Sequence, residues 1–226
     1  MEHLVTYQPN ESKRRLGSES DGGYVIIEGY AYDAYISCGI STETSFDEAF
    51  VRYHPGIPGF AYDGTVDRPH TLPGTIEFFK TNIGPENSET TTNLTHLTAI
   101  YKEIFLKMDI EGHEWKWIMS MPNAYMTTFK QIVIEVHGLW DDNWEASIDV
   151  KKSALRKLAQ THNLVHAHGN NHAAFADIPT VLELTYLRKD IPVAGLNSQP
   201  FPQSVDRPNC PGRADYVLNT WPFVTP

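Results

Sequence analysis

The sequence predicts an α/β protein with a doubly wound, mostly parallel sheet and helices on both faces. Short apolar runs typical of buried strands alternate with longer stretches whose apolar residues recur every three or four positions. Ionisable side chains stand at the ends of two of the runs: Asp109, Glu111 and Glu114 at the end of residues 104–110, and Glu135 and His137 at the end of residues 131–136. Ligands of open α/β sheets bind outside the carboxyl ends of the strands, so these side chains predict a polar site at one edge of the sheet.

In the first half of the chain, apolar runs next to turn-forming residues predict short strands. Residues 24–27 follow an Asp-Gly-Gly turn, residues 34–38 are followed by Gly39, and residues 59–63 end in an acid. Residues 43–53 show the apolar spacing of a helix, which nearby prolines end. These elements begin the alternation of strand and helix.

In the second half the same criteria predict an extended stretch, three helices, two strands and a closing antiparallel pair. The extended stretch covers residues 75–83, and the helices cover residues 92–103, 111–121 and 149–161. The strands cover residues 104–110 and 131–136, and the antiparallel pair is formed by residues 164–168 and 181–187. The pair places an antiparallel strand at the end of the sheet. We expect the basic residues 151–157 to lie on a solvated helix face. Residues 1–190 are predicted to form one domain, and the proline-rich residues 191–226 an extension that packs on it or is partly disordered.

The composition limits the classes of function. The chain has 226 residues, of which 41% are hydrophobic, enough for the core of one domain. Its formal net charge of −10 argues against a large nucleic-acid footprint, since such binding depends on clustered Lys and Arg. The two cysteines do not make a disulfide framework, and we see neither a signal peptide nor an apolar run long enough to span a membrane. We therefore expect a cytoplasmic protein without a membrane span.

The loop after residues 34–38 reads Ser37-Cys-Gly-Ile-Ser-Thr-Glu43, and its Gly39 would let the backbone approach a ligand closely. The helix that follows presents free N–H groups at its start. The loop lacks the three glycines of the common dinucleotide motif, so an ordinary strand–helix turn fits the spacing equally well. Asp63 ends the next strand about twenty residues on, where an acid commonly holds a ribose hydroxyl.

Several stretches resemble one known family. Leu106-Lys-Met-Asp-Ile-Glu-Gly-His-Glu114 fits its motif of Leu, Lys, a hydrophobic residue, Asp, a hydrophobic residue, Glu, Gly, any residue and Glu. Tyr35-Ile-Ser-Cys-Gly-Ile-Ser41 fits the first cofactor loop, and Arg15-Leu-Gly-Ser-Glu-Ser-Asp-Gly-Gly-Tyr24 resembles an N-terminal element of related proteins. Over residues 14–188 the chain resembles the class I S-adenosylmethionine-dependent methyltransferases. More narrowly it resembles the FkbM-like group, whose better-known members methylate hydroxyls of sugars and natural products.

The resemblance implies a Rossmann-like sheet of seven strands and S-adenosylmethionine as the cofactor. The residues that it places at the cofactor are Ser37, Gly39, Ser41, Glu43, Ser45, Phe46, Asp63 and Asp109. Ser37 stands where the common form of the loop has an acid. This departure concerns the contacts of Ser37, Ser41 and Glu43 more than the fold.

Asp109, Glu135 and His137 offer two oxygens and a nitrogen at adjacent strand ends, a donor set compatible with Mg²⁺ or Mn²⁺. The resemblance supports a metal, because similar sugar and macrolide O-methyltransferases bind one through acids from these strand ends. Asp109, Glu111 and His137 are then the predicted catalytic residues, with Glu111 as general base. The competing interpretation is that Asp109 caps a helix whose dipole favours Glu111 and Glu114.

The predicted substrate-binding residues are His168, Asn170 and Trp140. Strand alternation puts His166 and His168 on one face, which we expect to line a sugar pocket. A zinc site formed by the histidines of residues 164–172 together with His137 is the alternative. Trp140 and Trp144, in the loop after Glu135, are candidates to stack on a sugar ring, and the alternative for both is the core of a lid.

The sequence thus predicts an S-adenosylmethionine-dependent O-methyltransferase that acts on a sugar or glycan hydroxyl with the help of a divalent metal. The expected partner is a small-molecule or glycan substrate, and nucleic acid is not expected. An RNA ribose 2′-O-methyltransferase is one alternative, because Lys107 and Asp109 resemble part of a Lys-Asp-Lys-Glu arrangement. A non-catalytic domain on the same fold is the other.

Overall fold

The computed structural model describes residues 2–172 and 178–225, and a seven-stranded sheet forms its centre. The strands are β1 Tyr7–Pro9, β2 Lys13–Leu16, β3 Tyr24–Ile27, β4 Ala34–Cys38, β5 Gly59–Tyr62, β6 Ile76–Phe79, β7 Asn82–Ile83, β8 Thr91–Thr92, β9 Ile104–Met108, β10 Phe129–Val136, β11 His162–Gly169, β12 Leu182–Arg188 and β13 Val193–Leu196. The helices are α1 Ser45–Tyr53, α2 Thr95–Ile100, α3 Glu114–Ser120, α4 Asn123–Met126 and α5 Ile148–Thr161, with a 3₁₀ turn at Glu2–Leu4.

The central sheet has the strand order β11-β12-β10-β9-β4-β5-β6. Neighbouring strands from β10 to β6 are parallel, whereas β12 is antiparallel to both β10 and β11. The predicted mostly parallel sheet of seven strands with an antiparallel strand near its end is therefore confirmed. The predicted strand over residues 24–27 exists, but it pairs with β2 in a separate antiparallel hairpin.

Both faces of the sheet are covered by apolar side chains. Leu106 of β9 belongs to a buried cluster that includes Trp115 of α3 and residues of α5. Its neighbour Phe105 belongs to a second cluster, with Phe50 of α1 and Ile26 of β3. Successive strand residues point to opposite faces, so helices lie on both faces as predicted, and the β2–β3 hairpin shares one face with α1.

Two helices are shorter than predicted. The helix expected over residues 92–103 is α2 alone, because Thr92 belongs to β8, which pairs with β7, and Leu94 turns the chain with a positive φ of 68°. The helix expected over residues 111–121 is α3, because Glu111 and Gly112 turn the chain with positive φ values of 55° and 93°. No helix in the described ranges is long and apolar enough to cross a lipid bilayer.

One basic residue of α5 contradicts the prediction of a solvated face. Lys151 is only 1% exposed. Its Nζ donates hydrogen bonds to the carbonyl oxygens of Gly138, Asp141 and Asn143, at 2.5, 2.9 and 2.6 Å. The loop after β10 turns these carbonyls inward, and buried carbonyls need a donor. Lys151 therefore holds this loop onto the domain.

Residues 191–225 lie against the rest of the protein. β13 pairs antiparallel with β1 near the N-terminus. Phe201 is fully buried in the larger apolar cluster, and Leu218 exchanges two backbone hydrogen bonds with it. Between these points the chain has no long helix or strand and crosses the end of β11.

Candidate active site

The carboxyl ends of β4, β9 and β10 meet at one edge of the sheet. β9 lies between the other two, and its Met108 is paired with both Cys38 and Ile134. Gly39 has a φ of 71°, and a Cβ added there would lie 1.6 Å from the carbonyl oxygen of Asp109. Only glycine fits such a close approach. The loop after β4 and the residue after β9 are thus in direct backbone contact.

Asp109, Glu135 and His137 bring three potential ligand atoms together at this edge. The atoms lie within 4.8 Å of one another, and Nε2 of His137 is 3.8 Å from both Asp109 Oδ1 and Glu135 Oε1. Asp109 Oδ1 is buried and has no hydrogen-bond partner among the described residues. Burial of a carboxylate oxygen without a partner is unfavourable. The donor set and the unpartnered oxygen therefore fit a cation between these three side chains.

Glu114 sets the orientation of His137. Its Oε1 accepts a hydrogen bond from the backbone N–H of His137 at 2.7 Å and lies 3.1 Å from Nδ1. A proton on Nδ1 directed at Glu114 leaves Nε2 facing Asp109 and Glu135. The interpretation of Asp109 as a helix cap is wrong, because α3 begins only at Glu114 and its N-cap residue makes no side-chain hydrogen bond.

Burial and neighbouring charge set the protonation of the cluster. Burial raises the pKa of Glu135 well above its ordinary value, and the charges of Asp109 and Glu183 raise it further. Burial lowers the pKa of His137, but its hydrogen bond with Glu114 and the nearby carboxylates outweigh burial and raise the pKa to about 9. In the protein alone, the imidazolium of His137 is therefore a positive charge among the carboxylates.

Tyr24 and Lys107 also lie at the cluster, although the predicted metal site does not include them. Tyr24 Oη lies 3.1 Å from Asp109 Oδ2 and 3.2 Å from Glu135 Oε2. Lys107 Nζ donates to the carbonyl oxygen of Gly39 at 2.9 Å and is 4.0 Å from Asp109 Oδ2. The Asp-Gly-Gly-Tyr sequence was the available signal for Tyr24. This signal was not sufficient, because local patterns do not show that the β2–β3 hairpin lies over the strand ends.

Asp63 follows β5 and holds the turn after β4. Its Oδ2 accepts a hydrogen bond from the backbone N–H of Ser41 at 2.8 Å, and its Oδ1 accepts one from the N–H of Thr65 at 2.8 Å. Burial raises the pKa of Asp63, but the hydrogen bonds from Thr65 and Ser41 outweigh burial and lower the pKa. Asp63 is therefore an ionised acceptor beside the loop that carries Gly39.

The other predicted cofactor residues lie in two places. Ser37 and Phe46 are buried, Ser37 on β4 and Phe46 in an aromatic cluster on α1. Glu43 is exposed, and its Oε1 accepts a hydrogen bond from the backbone N–H of Ser45 at 2.7 Å. The structure thus puts two of these residues in the core and two at the start of α1.

The sequence matches the family model described as the methyltransferase FkbM domain over residues 4–183. The chain belongs to this family. Its members are S-adenosylmethionine-dependent methyltransferases, and membership implies S-adenosylmethionine as the cofactor. Among solved structures, the chain is similar to one in a fibrillarin/Nop5p complex, with a TM-score of 0.45, 11% identity and coverage of 72% of this chain and 76% of that chain. It is also similar to precorrin-6y C5,15-methyltransferase from Geobacter metallireducens GS-15, with a TM-score of 0.37, 10% identity and coverage of 72% and 84%. Comparison with curated proteins gives no match.

Two predicted substrate-binding residues of the FkbM domain lie near one another but differ in their contacts. Asn170 reaches the cluster, where its Nδ2 donates to Glu135 Oε1 at 2.9 Å. His168 is buried, with Nδ1 3.0 Å from Glu183 Oε2 and Nε2 3.0 Å from Asp215 Oδ2. Both ring nitrogens of His168 thus face protein carboxylates. A contact of either residue with substrate stays a prediction.

The two tryptophans of the loop after β10 lie in different environments. Trp140 is half-buried against the core, and its Nε1 donates to the carbonyl oxygen of Pro179 at 2.6 Å. Trp144 is 43% exposed, and its ring stacks on His137 with the ring centroids 5.2 Å apart. Contact of Trp140 with substrate stays a prediction, while Trp144 is the tryptophan that lies on the cluster.

Glu111, the predicted general base, stands at the rim of the site. Its side chain is 75% exposed, and its Oε2 lies 3.4 Å from Nε2 of His137.

The alternative of a zinc site at the histidines of residues 164–172 finds no support among the described residues. In the part of the chain that the structure describes, two groups of side chains could hold a metal ion: Asp109 with Glu135 and His137, and Asp21 with Glu135 and Glu183. Neither group includes His166, His168 or His172.

Proposed function

We propose that this FkbM-family protein transfers a methyl group to a sugar or glycan hydroxyl, with Mg²⁺ or Mn²⁺ bound by Asp109, Glu135 and His137. The observation that carries the proposal is the convergence of these ligand atoms around a buried, unpartnered oxygen of Asp109. Two carboxylate oxygens and an imidazole nitrogen suit a hard divalent cation. When bound, such a cation supplies a Lewis acid that lowers the pKa of a hydroxyl.

The surroundings of Glu135 support its assignment as a ligand. Asn170 Nδ2 donates to one carboxylate oxygen, and Tyr24 Oη contacts the other. Glu114 gives His137 similar support from behind. Ligands held by such outer contacts keep their direction when the cation arrives, and a fixed direction favours one geometry of binding.

For the cofactor we assign Gly39, Ser41 and Asp63, which lie together at the ends of β4 and β5. When bound, S-adenosylmethionine supplies an electrophilic methyl group on a positively charged sulfur. Asp63 is the proposed acceptor for ribose hydroxyls, since it is ionised and stands at the end of the second strand of the parallel sheet. The missing side chain of Gly39 lets this loop lie directly against the backbone of Asp109, which brings the proposed cofactor residues next to the cluster.

Glu111 is the proposed general base. It takes the proton that the acceptor hydroxyl loses as its oxygen bonds to the methyl carbon and the carbon–sulfur bond breaks. The carboxylate of Glu111 is exposed and lies 3.4 Å from Nε2 of His137, so an acceptor hydroxyl bound at the cluster would be within its reach. Holding the acceptor oxygen and the base together removes much of the entropic barrier.

A sugar acceptor is favoured by the side chains around the cluster. The exposed ring of Trp144 beside His137 can contact the apolar face of a pyranose. Asn170 lies beside the cluster, and the second N–H of its Nδ2 can donate to one of the sugar hydroxyls. By contrast, Lys107 and Lys151 donate to backbone carbonyls and are buried, which disfavours a phosphate-binding role for them in RNA methylation.

Methylation of a panel of glycans with trideuteromethyl-labelled S-adenosylmethionine and Mg²⁺, followed by mass spectrometry, tests the proposal. We expect a labelled methyl group on a sugar hydroxyl with the wild-type protein. Glu135→Gln should lose about 10- to 100-fold or more in rate while it still binds S-adenosylhomocysteine. Glu145→Gln is the matched control, because Glu145 is an exposed acid of the loop after β10 that pairs with Lys116 of α3 and is not one of the proposed ligands. Product on RNA but on no glycan would reject the sugar acceptor, and an unchanged rate in Glu135→Gln would reject its assignment.

A further inference from the structure

A row of buried ionisable side chains links the proposed cation site to the C-terminal extension, residues 191–225. Glu135 lies directly opposite Glu183 on β12, and Glu183 lies directly opposite His168 on β11. At the far end, Nε2 of His168 lies 3.0 Å from Oδ2 of Asp215. The row crosses three strands and ends on a residue outside the family match of residues 4–183.

The two glutamates of the row need a compensating charge. Carboxylates directly opposite each other on neighbouring strands repel, and Glu135 and Glu183 are each only 5% exposed. His168 provides the compensation through Nδ1, 3.0 Å from Glu183 Oε2. Burial lowers the pKa of His168, but its hydrogen bonds with Asp215 and Glu183 outweigh burial and raise the pKa to about 10. Asp215 thus keeps a cation beside Glu183.

Asn209, another residue of the extension, holds Glu183 from the other side. Its Nδ2 donates to Glu183 Oε1 at 2.6 Å and to Asp21 Oδ1 at 3.0 Å. The backbone N–H of Asp21 donates back to the carbonyl oxygen of Asn209 at 3.2 Å. Both carboxylate oxygens of Glu183 therefore have partners, and the side chain that faces Glu135 has one fixed position.

The extension and the cation site are attached to consecutive residues just after β11. Asn170 donates to Glu135, whereas Asn171 holds the extension. Asn171 Oδ1 accepts from the N–H of Cys210 at 2.7 Å. Its Nδ2 lies within 3.3 Å of the carbonyl oxygens of Cys210, Arg213 and Ala214. A displacement of the extension would thus change the positions of both Asn170 and Glu183.

We propose that the C-terminal extension is part of the active site, with Asp215 and Asn209 as positioning residues that hold Glu183, and through it Glu135, in the geometry for cation binding. This inference rests on the proposed cation site. Residues behind metal ligands typically change metal affinity by about 10- to 100-fold when they are replaced. The extension is therefore expected to affect the site without touching cofactor or substrate.

The first measurement is the binding of Mn²⁺ to the full chain, monitored through the electron paramagnetic resonance signal of the free ion. Asp215→Asn keeps the size of the side chain and removes its charge, and Asn209→Ala removes both donors to Glu183 and Asp21. We expect each to raise the Kd for Mn²⁺ by about 10- to 100-fold. A wild-type Kd in both variants would overturn the positioning role.

The matched control is Asp206→Asn. Asp206 belongs to the same extension and forms the same kind of buried pair, with Oδ1 2.7 Å from His166 Nε2. His166, however, lies opposite Thr185 rather than Glu183. Asp206→Asn should leave the Kd for Mn²⁺ within about twofold, because Asp206 acts on His168 only through its charge and makes no hydrogen bond with the row. Equal weakening in all three variants would show a general loss of stability and would overturn the row as the cause.

Amide hydrogen exchange without any cation separates this inference from the cation site itself. Asp215→Asn and Asn209→Ala should speed the exchange of a peptide over residues 133–139 by about fivefold or more, because local opening becomes easier, and Asp206→Asn should not. If wild-type protein binds no Mn²⁺ but shows these differences, the cation site is wrong and the positioning of Glu135 stands. Unchanged exchange in both variants would overturn the positioning role, whether or not Mn²⁺ binds.

Discussion

Glu114 contacts His137 at two atoms, accepting a hydrogen bond from its backbone N–H at 2.7 Å and facing its Nδ1 at 3.1 Å. The first residue of α3 thereby decides which ring nitrogen faces Asp109 and Glu135. The geometry of the cluster depends on how this helix packs against the end of β10. Glu114 is fully buried, so this contact is shielded from solvent and salt.

Glu114→Gln is expected to weaken cation binding, because the amide keeps the size of the side chain but loses the charge that orients and polarises the imidazole. The Kd for Mn²⁺ should rise by about 10- to 100-fold. Glu111→Gln is the crossed control. It should lower turnover by about 10²- to 10⁴-fold, as loss of a general base does, and leave the Kd unchanged. A wild-type Kd in Glu114→Gln would contradict the orienting role.

Gly39→Ala is expected to lower the free energy of unfolding by more than about 1 kcal/mol, because a left-handed position does not accept a Cβ without strain. Here the Cβ would also meet the carbonyl oxygen of Asp109. Urea unfolding and calorimetry with S-adenosylhomocysteine measure both effects, and we expect cofactor binding to weaken as well. Gly74→Ala is the control, since nothing lies within 4 Å of an added Cβ there. Equal stability of the two variants would refute the close approach.

Lys151→Met should destabilise the protein by about 3 kcal/mol, because three inward-facing carbonyl oxygens lose their donor. Thermal and urea unfolding give the magnitude. The neighbouring Lys152 is 55% exposed at its side chain, and Lys152→Met should change the free energy of unfolding by about 0.5 kcal/mol or less. Similar changes in the free energy of unfolding for the two variants would show that Lys151 lies on a solvated helix face, as its charge pattern predicted.

His162 predicts a loss of stability in acid. It is buried, with Nε2 2.7 Å from the carbonyl oxygen of Phe129 and Nδ1 2.8 Å from Thr161 Oγ1. These partners satisfy the neutral ring, and burial lowers its pKa from 6.5 to about 4. The unfolded chain therefore binds a proton at a higher pH than the folded one. The contribution of His162 to stability is complete above pH 6.5 and is lost as the pH falls from 6.5 to about 4.

Urea unfolding of wild-type protein and His162→Gln across this pH range checks the prediction. The variant should show a weaker dependence of the free energy of unfolding on pH, because one proton-binding group has been removed. Carboxylates that titrate in the same range affect both proteins alike and cancel in the difference. Two parallel curves would contradict a neutral, buried His162.

The sequence was sufficient to predict the sheet and the core of the cluster, because both follow from local patterns. Asp109, Glu135 and His137 come directly after or within apolar runs, and the ends of parallel strands align at one edge. Apolar spacing could not predict where the two shortened helices begin, because their starts depend on a positive φ at Glu111 and on the pairing of β7 with β8.

The supporting contacts of the cluster could not be predicted in the same way. Glu114 meets His137 across 23 positions, and His168 meets Asp215 across 47. Such pairs depend on the order of the strands and on their register, and apolar periodicity gives no information about either. Lys151 shows a similar limit, since its burial depends on carbonyl oxygens that the loop turns inward.

The most direct test of the central claim is the number of Mn²⁺ ions bound by wild-type protein, Asp109→Asn and Glu135→Gln, each measured at equal protein and Mn²⁺ concentrations. Asp109 and Glu135 provide the two carboxylates of the proposed site, and each substitution removes one charge while it keeps the shape. We predict one tightly bound Mn²⁺ per chain in the wild type and strongly reduced binding in both variants. No tight binding in the wild type, or equal binding in all three proteins, would contradict the account.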